Sequence, residues 1–207
     1  MKKLILILLT VFIHNSCYSQ GTPIGCSAEA MCEAVFEFGE QELTAVDTLP
    51  DFNRPGPKLK VTGTVYQPDG KTPAPNVVLY IYHTNQKGIY EKRGDETGLG
   101  RKHGHIRGWA KTNEEGNYTF YTLRPGIYPN RSESAHIHTT LLEPDGKYYW
   151  LNSYHFDDGP LLTKEERQKL KTTPRGGSSG ILKLIKSGDL LIGERDIILG
   201  LNIPGYE

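Results

Sequence analysis

Three residues near the middle of the chain have types and spacing suited to holding a metal ion. His136 and His138 are separated by one residue, and Tyr128 lies a short way upstream. In an extended strand, side chains two apart point to the same face with Cα atoms roughly 7 Å apart, so two imidazoles can converge on one ion. Ala135, Ile137, Thr139 and Leu141 then fill the opposite face, which can pack against a core. Read from its spacing alone, the pair suits ligation and an exposed or hydrogen-bonded strand equally well.

Two other patterns compete for the same chemistry. Glu143 extends the pair to H-x-H-x4-E, the two-histidine, one-carboxylate set of cupin-like metal enzymes, although it runs directly into the Pro144-Asp145-Gly146 turn. His103 and His105 repeat the H-x-H spacing inside a glycine-rich, Lys/Arg-flanked segment. That context suits a solvated loop or the wall of a substrate pocket better than a metal site. Tyr90, in QKGIYEKR, is a loop aromatic by itself, and Tyr80, Tyr82, Tyr118, Tyr148 and Tyr149 read as core or rim.

These residues need a rigid frame, and the pattern around them is that of strands. Leu59, Val61 and Val65 alternate with Lys60, Thr62 and Thr64, and the turn PDGKTPAP leads to NVVLYIYH. Residues 86–105 read as a long loop. RGWAKT, NEEG and NYTFYTL make a hairpin ahead of the histidine strand, which passes through EPDG to KYYWLNSYHF. Thr163 with Glu166 signals a capping box for a short helix over KEERQKL, and ILKLI with the segment to Leu201 supplies the last strands. The expected fold is all-β, a mostly antiparallel β-sandwich with long loops and one or two short helices.

At the N-terminus, Lys2 and Lys3 precede the apolar run Leu4–Ile13 and the small or polar residues Asn15–Ser19. This is a secretory signal peptide over residues 1–19, too short to span a bilayer. It predicts a secreted or periplasmic protein, with lipidation at Cys17 as the alternative. Residues 20–58 form a lead-in, Pro-rich from Asp47, and 59–207 the sandwich domain. Lys+Arg and Asp+Glu are equal at 24 each, and removing Lys2 and Lys3 leaves 22 against 24. Such a balance gives no basis for nucleic-acid binding. Cys26 and Cys32 remain as an even pair in an exported chain, which predicts a disulfide. The bond requires Cys26 to lie outside any helix that SAEAMCEAVF forms.

Taken together, Gly88 to Tyr90, Arg107 to Tyr118, Pro125 to Tyr128 and His136 to His138 resemble the intradiol ring-cleavage dioxygenase family, relatives of protocatechuate and catechol dioxygenases. The resemblance runs from about Leu59 to about Phe156. The strands by themselves are also similar to transthyretin-like and carboxypeptidase-regulatory modules, which are non-enzymatic binding or structural units. The histidine pair and Tyr90 separate this chain from those modules.

The resemblance implies one ferric ion, Fe(III), held by Tyr90, Tyr128, His136 and His138, with a small aromatic diol and O2 as substrates. It implies cleavage between the two hydroxylated carbons to a muconate-type diacid. Ferric iron is a hard cation, and two tyrosinates with two neutral imidazoles reduce its charge from three to one. By the same resemblance Tyr128 is the ligand that the diol displaces and that serves as a base, while Tyr90 stays. The family places an arginine three residues before the first histidine. Here Glu133 stands there, and Arg131, two residues earlier, is assigned the role if SESA loops out.

Overall fold

A computed structural model of the chain describes residues 21–26, 30–130 and 133–207. The signal-peptide expectation, Cys17 and Arg131 fall outside the described residues. Among those described there are twelve strands: β1 (Thr22–Pro23), β2 (Val46–Thr48), β3 (Lys58–Tyr66), β4 (Val78–Tyr82), β5 (Arg107–Lys111), β6 (Asn117–Leu123), β7 (His136–Leu142), β8 (Lys147–Phe156), β9 (Ile181–Leu182), β10 (Ile185–Ser187), β11 (Leu190–Glu194) and β12 (Ile197–Ile198). They form two sheets. One runs β1-β8-β7-β4-β5 with β9 beside β8, and the other runs β10-β11-β3-β6-β2 with β12 beside β3.

The fold is all-β, as its strand patterns imply. The long ladders β3–β6, β4–β5, β4–β7 and β7–β8 are antiparallel. Parallel pairing brings in β1, β2, β9, β11 and β12, so both sheets are mixed. Among the described residues there are two short α-helices, α1 (Gly100–His103) and α2 (Lys164–Thr172). Thr163 caps α2 as its sequence predicts, its hydroxyl accepting from Glu166 N–H at 3.2 Å while the Glu166 carboxylate accepts from Thr163 N–H at 2.8 Å.

Burial follows the two-residue period of the strands. Leu79 and Ile81 of β4 point inward with Ile137, Leu141, Val61 and Phe120, forming the core between the sheets. Their neighbours Val78, Tyr80 and Tyr82 point outward and are buried as well, because Cys32, Ala34, Val35 and Leu43 cover that face and make a second core. A strand buried on both faces must be apolar throughout, which is why NVVLYIYH reads as a continuous run.

The described part of residues 21–58 pairs with the sandwich. β1 pairs with β8 and β2 with β6, so this segment adds an edge to each sheet. Leu49 is 2% exposed in the inter-sheet core. Cys26 and Cys32 are joined in a disulfide, and Cys32 opens a 3-10 helix, Cys32–Phe36, that excludes Cys26. Side chains then tie this cover down: Trp109 Nε1–H donates to the Val35 carbonyl at 3.1 Å, and Asp47 accepts from Trp109 N–H at 2.8 Å.

Candidate metal centre

Three short segments meet on the outer face of the β8-β7-β4 region. β7 supplies His136 and His138, with His138 across from Tyr82 of β4 and His136 across from His155 of β8. Two loops supply the tyrosines. Asn85 organises the first: its side-chain oxygen accepts from Lys87 N–H at 2.9 Å and Ile89 N–H at 3.1 Å, and its carbonyl accepts from Gly126 N–H at 3.0 Å.

The glycines of both tyrosine motifs have a steric reason. A Cβ at Gly88, whose φ is +75°, would meet the Ile127 carbonyl oxygen at 1.9 Å, and one at Gly126 would meet the Gln86 carbonyl oxygen at 2.2 Å. Each loop is thus glycine where it touches the other. Packed backbone to backbone, they bring Tyr90 and Tyr128 side by side.

Four donor atoms converge there. Tyr90 Oη lies 2.7 Å from Tyr128 Oη and 2.9 Å from His138 Nε2, and His138 Nε2 lies 3.0 Å from His136 Nε2. The Ser134 carbonyl accepts from His136 Nδ1–H at 2.8 Å, which leaves the Nε2 lone pair of His136 aimed into the cluster. Burial, and then the neighbouring histidines, push the His138 imidazole well below its ordinary range, so it is neutral. Burial also pushes the Tyr90 and Tyr128 phenols up.

This donor set fits a hard trivalent cation. Ligand bonds of roughly 2.0–2.1 Å meeting at right angles put adjacent donors about 2.9 Å apart, which is the spacing seen across the cluster. Two phenols that burial keeps protonated can ionise against such a charge, and the two imidazoles complete a mixed oxygen and nitrogen set. A carboxylate is also close, since Glu133 Oε2 lies 4.0 Å from His136 Nε2.

The other candidates are engaged elsewhere. Glu143 accepts from the Tyr149 hydroxyl at 2.7 Å and the Tyr206 hydroxyl at 2.9 Å, so the cupin-like set of His136, His138 and Glu143 is not assembled. The His103 and His105 pair is not a solvated loop either. His103 is 1% exposed, its Nδ1 is 2.8 Å from Tyr80 Oη, and its ring stacks on Tyr82. His105 Nε2 lies 2.8 Å from Asp51. What covers them is residues 30–54, a segment remote in sequence: Glu37 binds both Arg107 and Leu99 N–H, and Asp51 adds Arg93 at 3.0 Å.

One neighbour escapes sequence reasoning altogether. His155 sits across β7 from His136, ring centroids 5.5 Å apart, with Nδ1 at 3.0 Å from Ser134 Oγ. Counting outward from the Glu143–Lys147 hairpin in unbroken register puts Tyr154 opposite His136. A bulge after Ile137 shifts the pairing by one residue and turns His155 to the histidine side. Burial, with help from His136, lowers its pKa to about 4.

Residues 35–155 match the family model described as Dioxygenase, 121 of the 207 residues. Catechol 1,2-dioxygenase 1 of Acinetobacter lwoffii is 30% identical over 166 residues, 68% of this chain and 51% of that protein. The protocatechuate 3,4-dioxygenase beta chain of Burkholderia cepacia is 30% identical over 116 residues, 52% of this chain and 48% of its own. The chain spans about half the length of these curated relatives. In fold it is similar to an intradiol ring-cleavage dioxygenase from Tetranychus urticae, with TM-score 0.54, 22% identity, and 82% and 90% of the two chains covered. It is also similar to catechol 1,2-dioxygenase from Acinetobacter sp. ADP1, with TM-score 0.56, 18% identity, and 77% and 58% covered.

Proposed function

Because this chain belongs to the intradiol ring-cleavage dioxygenase family, we propose that it is an exported non-haem iron enzyme that opens a catechol-type ring between its two hydroxylated carbons. The single observation that carries this reading is the convergence of Tyr90 Oη, Tyr128 Oη, His136 Nε2 and His138 Nε2 within 3.0 Å steps. Those four residues would hold ferric iron. When bound, it supplies the Lewis acidity that draws in the diol as its dianion and makes the ring reactive towards O2. One diol and one O2 give one diacid, with both oxygen atoms retained in the two carboxyl groups.

The chain's own groups handle protons and order. Tyr128 Oη, on the loop facing the histidine strand, takes up a phenolic proton as the diol enters. Tyr90 stays in place against His138 and keeps a permanent negative charge in the set. The Ser134 carbonyl holds the His136 proton at Nδ1, so that ring cannot turn its lone pair away. Tyr82, backed by His103, lies flat against His138 and holds its ring in place. Arg131 is assigned, from the family's pattern, to steady negative charge on the substrate.

The basic and apolar run at residues 2–13 supports export, as does the Cys26–Cys32 bond, which suits an oxidising compartment. The test is to load the purified protein with iron, add catechol, and follow O2 uptake with the ultraviolet absorbance of the diacid. One O2 consumed per diacid formed is the expected result. A yellow semialdehyde product, from cleavage beside rather than between the hydroxyls, contradicts the reading.

A further inference from the structure

The second histidine pair has no part in the donor cluster, yet each of its members leans on a residue that does. His103 backs Tyr82, and Tyr82 backs His138. His105 holds Tyr90 through the backbone. The Glu91 carbonyl, one residue past Tyr90, accepts from His105 N–H at 3.0 Å and lies 2.9 Å from His105 Nδ1, while Nε2 of the same ring lies 2.8 Å from Asp51 Oδ2. Each ring nitrogen thus faces an acceptor. Little of either side chain reaches solvent, 7% for His105 and 9% for Asp51, and Asp51 is held in turn by Arg54 at 3.1 Å and Arg93 at 3.0 Å.

The contact is close. Gly104, whose φ is +73°, packs so tightly that a Cβ there would meet the Glu91 carbonyl oxygen at 2.7 Å and the Tyr90 carbonyl carbon at 3.0 Å. On the other flank Asn85 Oδ1 accepts from Ile89 N–H at 3.1 Å, and Asn85 Nδ2 donates to the Glu91 carboxylate at 2.9 Å. Tyr90 is therefore pinned both before and after its own Cα. In the Tyr128 loop the hydrogen bond to Asn85, from Gly126 N–H to its carbonyl, falls two residues ahead of the tyrosine. The hydroxyls differ in the same sense. Tyr90 Oη touches both Tyr128 Oη and His138 Nε2, whereas Tyr128 Oη stands at the end of that row.

Two tyrosines of like chemistry exchange with an entering diol equally well unless the frame makes one of them harder to move. We propose that Asp51 and His105 are a positioning pair that clamps the backbone at Tyr90, so that a diol displaces Tyr128 and not Tyr90. Asp51 reaches His105 from 54 residues away in sequence, so the N-terminal segment that adds an edge to each sheet also sets which tyrosine gives way. Without the clamp either tyrosine can leave, and a diol that has taken the place of Tyr90 is bound but not aligned for cleavage. The proposal rests on the diol-cleaving reading of the metal centre, in which one tyrosine stays and one leaves.

Misaligned binding has its own kinetic signature. It occupies the site without turnover, so kcat and KM fall by the same factor, whereas a partly unfolded protein loses kcat at constant KM. With catechol, His105→Ala is expected to lower both at least threefold per bound iron. Asp51→Gly, in which glycine suits the φ of +70° at that position, should shift both the same way. Resonance Raman spectra of the iron-loaded protein, with catechol bound in the absence of O2, read the tyrosine directly. In a Tyr128→Phe background, where Tyr90 alone of the two supplies tyrosinate bands, adding His105→Ala should reduce those bands by half or more.

Unchanged bands, or a fall in kcat at constant KM, overturn the clamp. An iron-loaded wild type that binds catechol without cleaving it overturns the reaction instead, and the bands then still decide the clamp. Where no iron is taken up, hydrogen exchange of the metal-free protein decides it. Residues 86–93 should exchange at least tenfold faster in His105→Ala than in the wild type while residues 124–130 stay the same, and equal rates at 86–93 overturn the clamp.

Discussion

The ring of Tyr82 lies flat against that of His138, centroids 4.5 Å apart and planes 11° apart. His103 stacks on the same tyrosine at 3.6 Å and 6°, so three rings form one rigid stack that ends at a candidate ligand. Removing the middle ring should leave a hole and let His138 swing. Tyr82→Ala is expected to lower stability by about 3 kcal/mol and to lower iron content, whereas Tyr82→Phe keeps both. Chemical denaturation and iron analysis of the two variants check this, and full iron retention by a folded Tyr82→Ala protein would show that the stack does not hold the ligand.

The two H-x-H pairs should behave oppositely. His136→Ala and His138→Ala each remove a lone pair from the donor cluster and should lose iron while staying folded. His105→Ala removes the contacts to Asp51 and to the Glu91 carbonyl, neither of them in the donor cluster, and should keep iron. His103→Ala should also keep it, at a cost in stability because the ring is buried against Tyr82. Iron loss confined to the 103/105 pair would mean that the metal sits elsewhere.

How far these features can be read from the chain depends on whether their cause is local. The His136–His138 spacing, Gly88 and Gly126 encode their geometry within a few residues, and the Thr163–Glu166 cap does so within one turn. β1 and β2 are parallel edge strands of two and three residues, too short to show alternation. The burial of His103 depends on residues 30–54 folding over it, and the position of His155 depends on a bulge. Neither leaves a periodic trace. Glu143 looks like a ligand in sequence because its competing partner, Tyr206, is 63 residues away.

Glu143 supplies a pH test remote from the metal centre. Burial raises its pKa above the ordinary 4.5, despite the Tyr149 and Tyr206 hydroxyls that pull it back. A carboxyl whose folded pKa is raised contributes its full stability below the unfolded value and loses it as pH rises through the folded value. The wild type should therefore lose stability relative to Glu143→Gln as pH is raised from 4 to 7, with the neighbouring Asp145 and Lys147 the same in both proteins. Denaturation midpoints across that range check it. A difference that stays flat or moves the other way contradicts the assignment.

The Cys26–Cys32 bond closes a loop of six residues' separation, for which chain entropy gives about 2 kcal/mol. Mass spectrometry of the purified protein without reductant should show no free thiol at either position. Reduction should lower the melting temperature while leaving iron content unchanged, since neither cysteine belongs to the donor cluster.

The central claim is that two tyrosines and two histidines hold one ferric ion. The most direct measurement is iron stoichiometry together with the visible spectrum of the purified protein and of Tyr90→Phe and Tyr128→Phe, each with and without catechol. The wild type should carry one iron per chain and a broad tyrosinate-to-iron charge-transfer band. Tyr128→Phe should keep some iron, form a coloured complex with catechol and turn over slowly. Tyr90→Phe should lose more iron, because the permanent negative charge is gone. Colourless wild-type protein, or a Tyr90→Phe variant with full iron and normal turnover, contradicts the four-residue site.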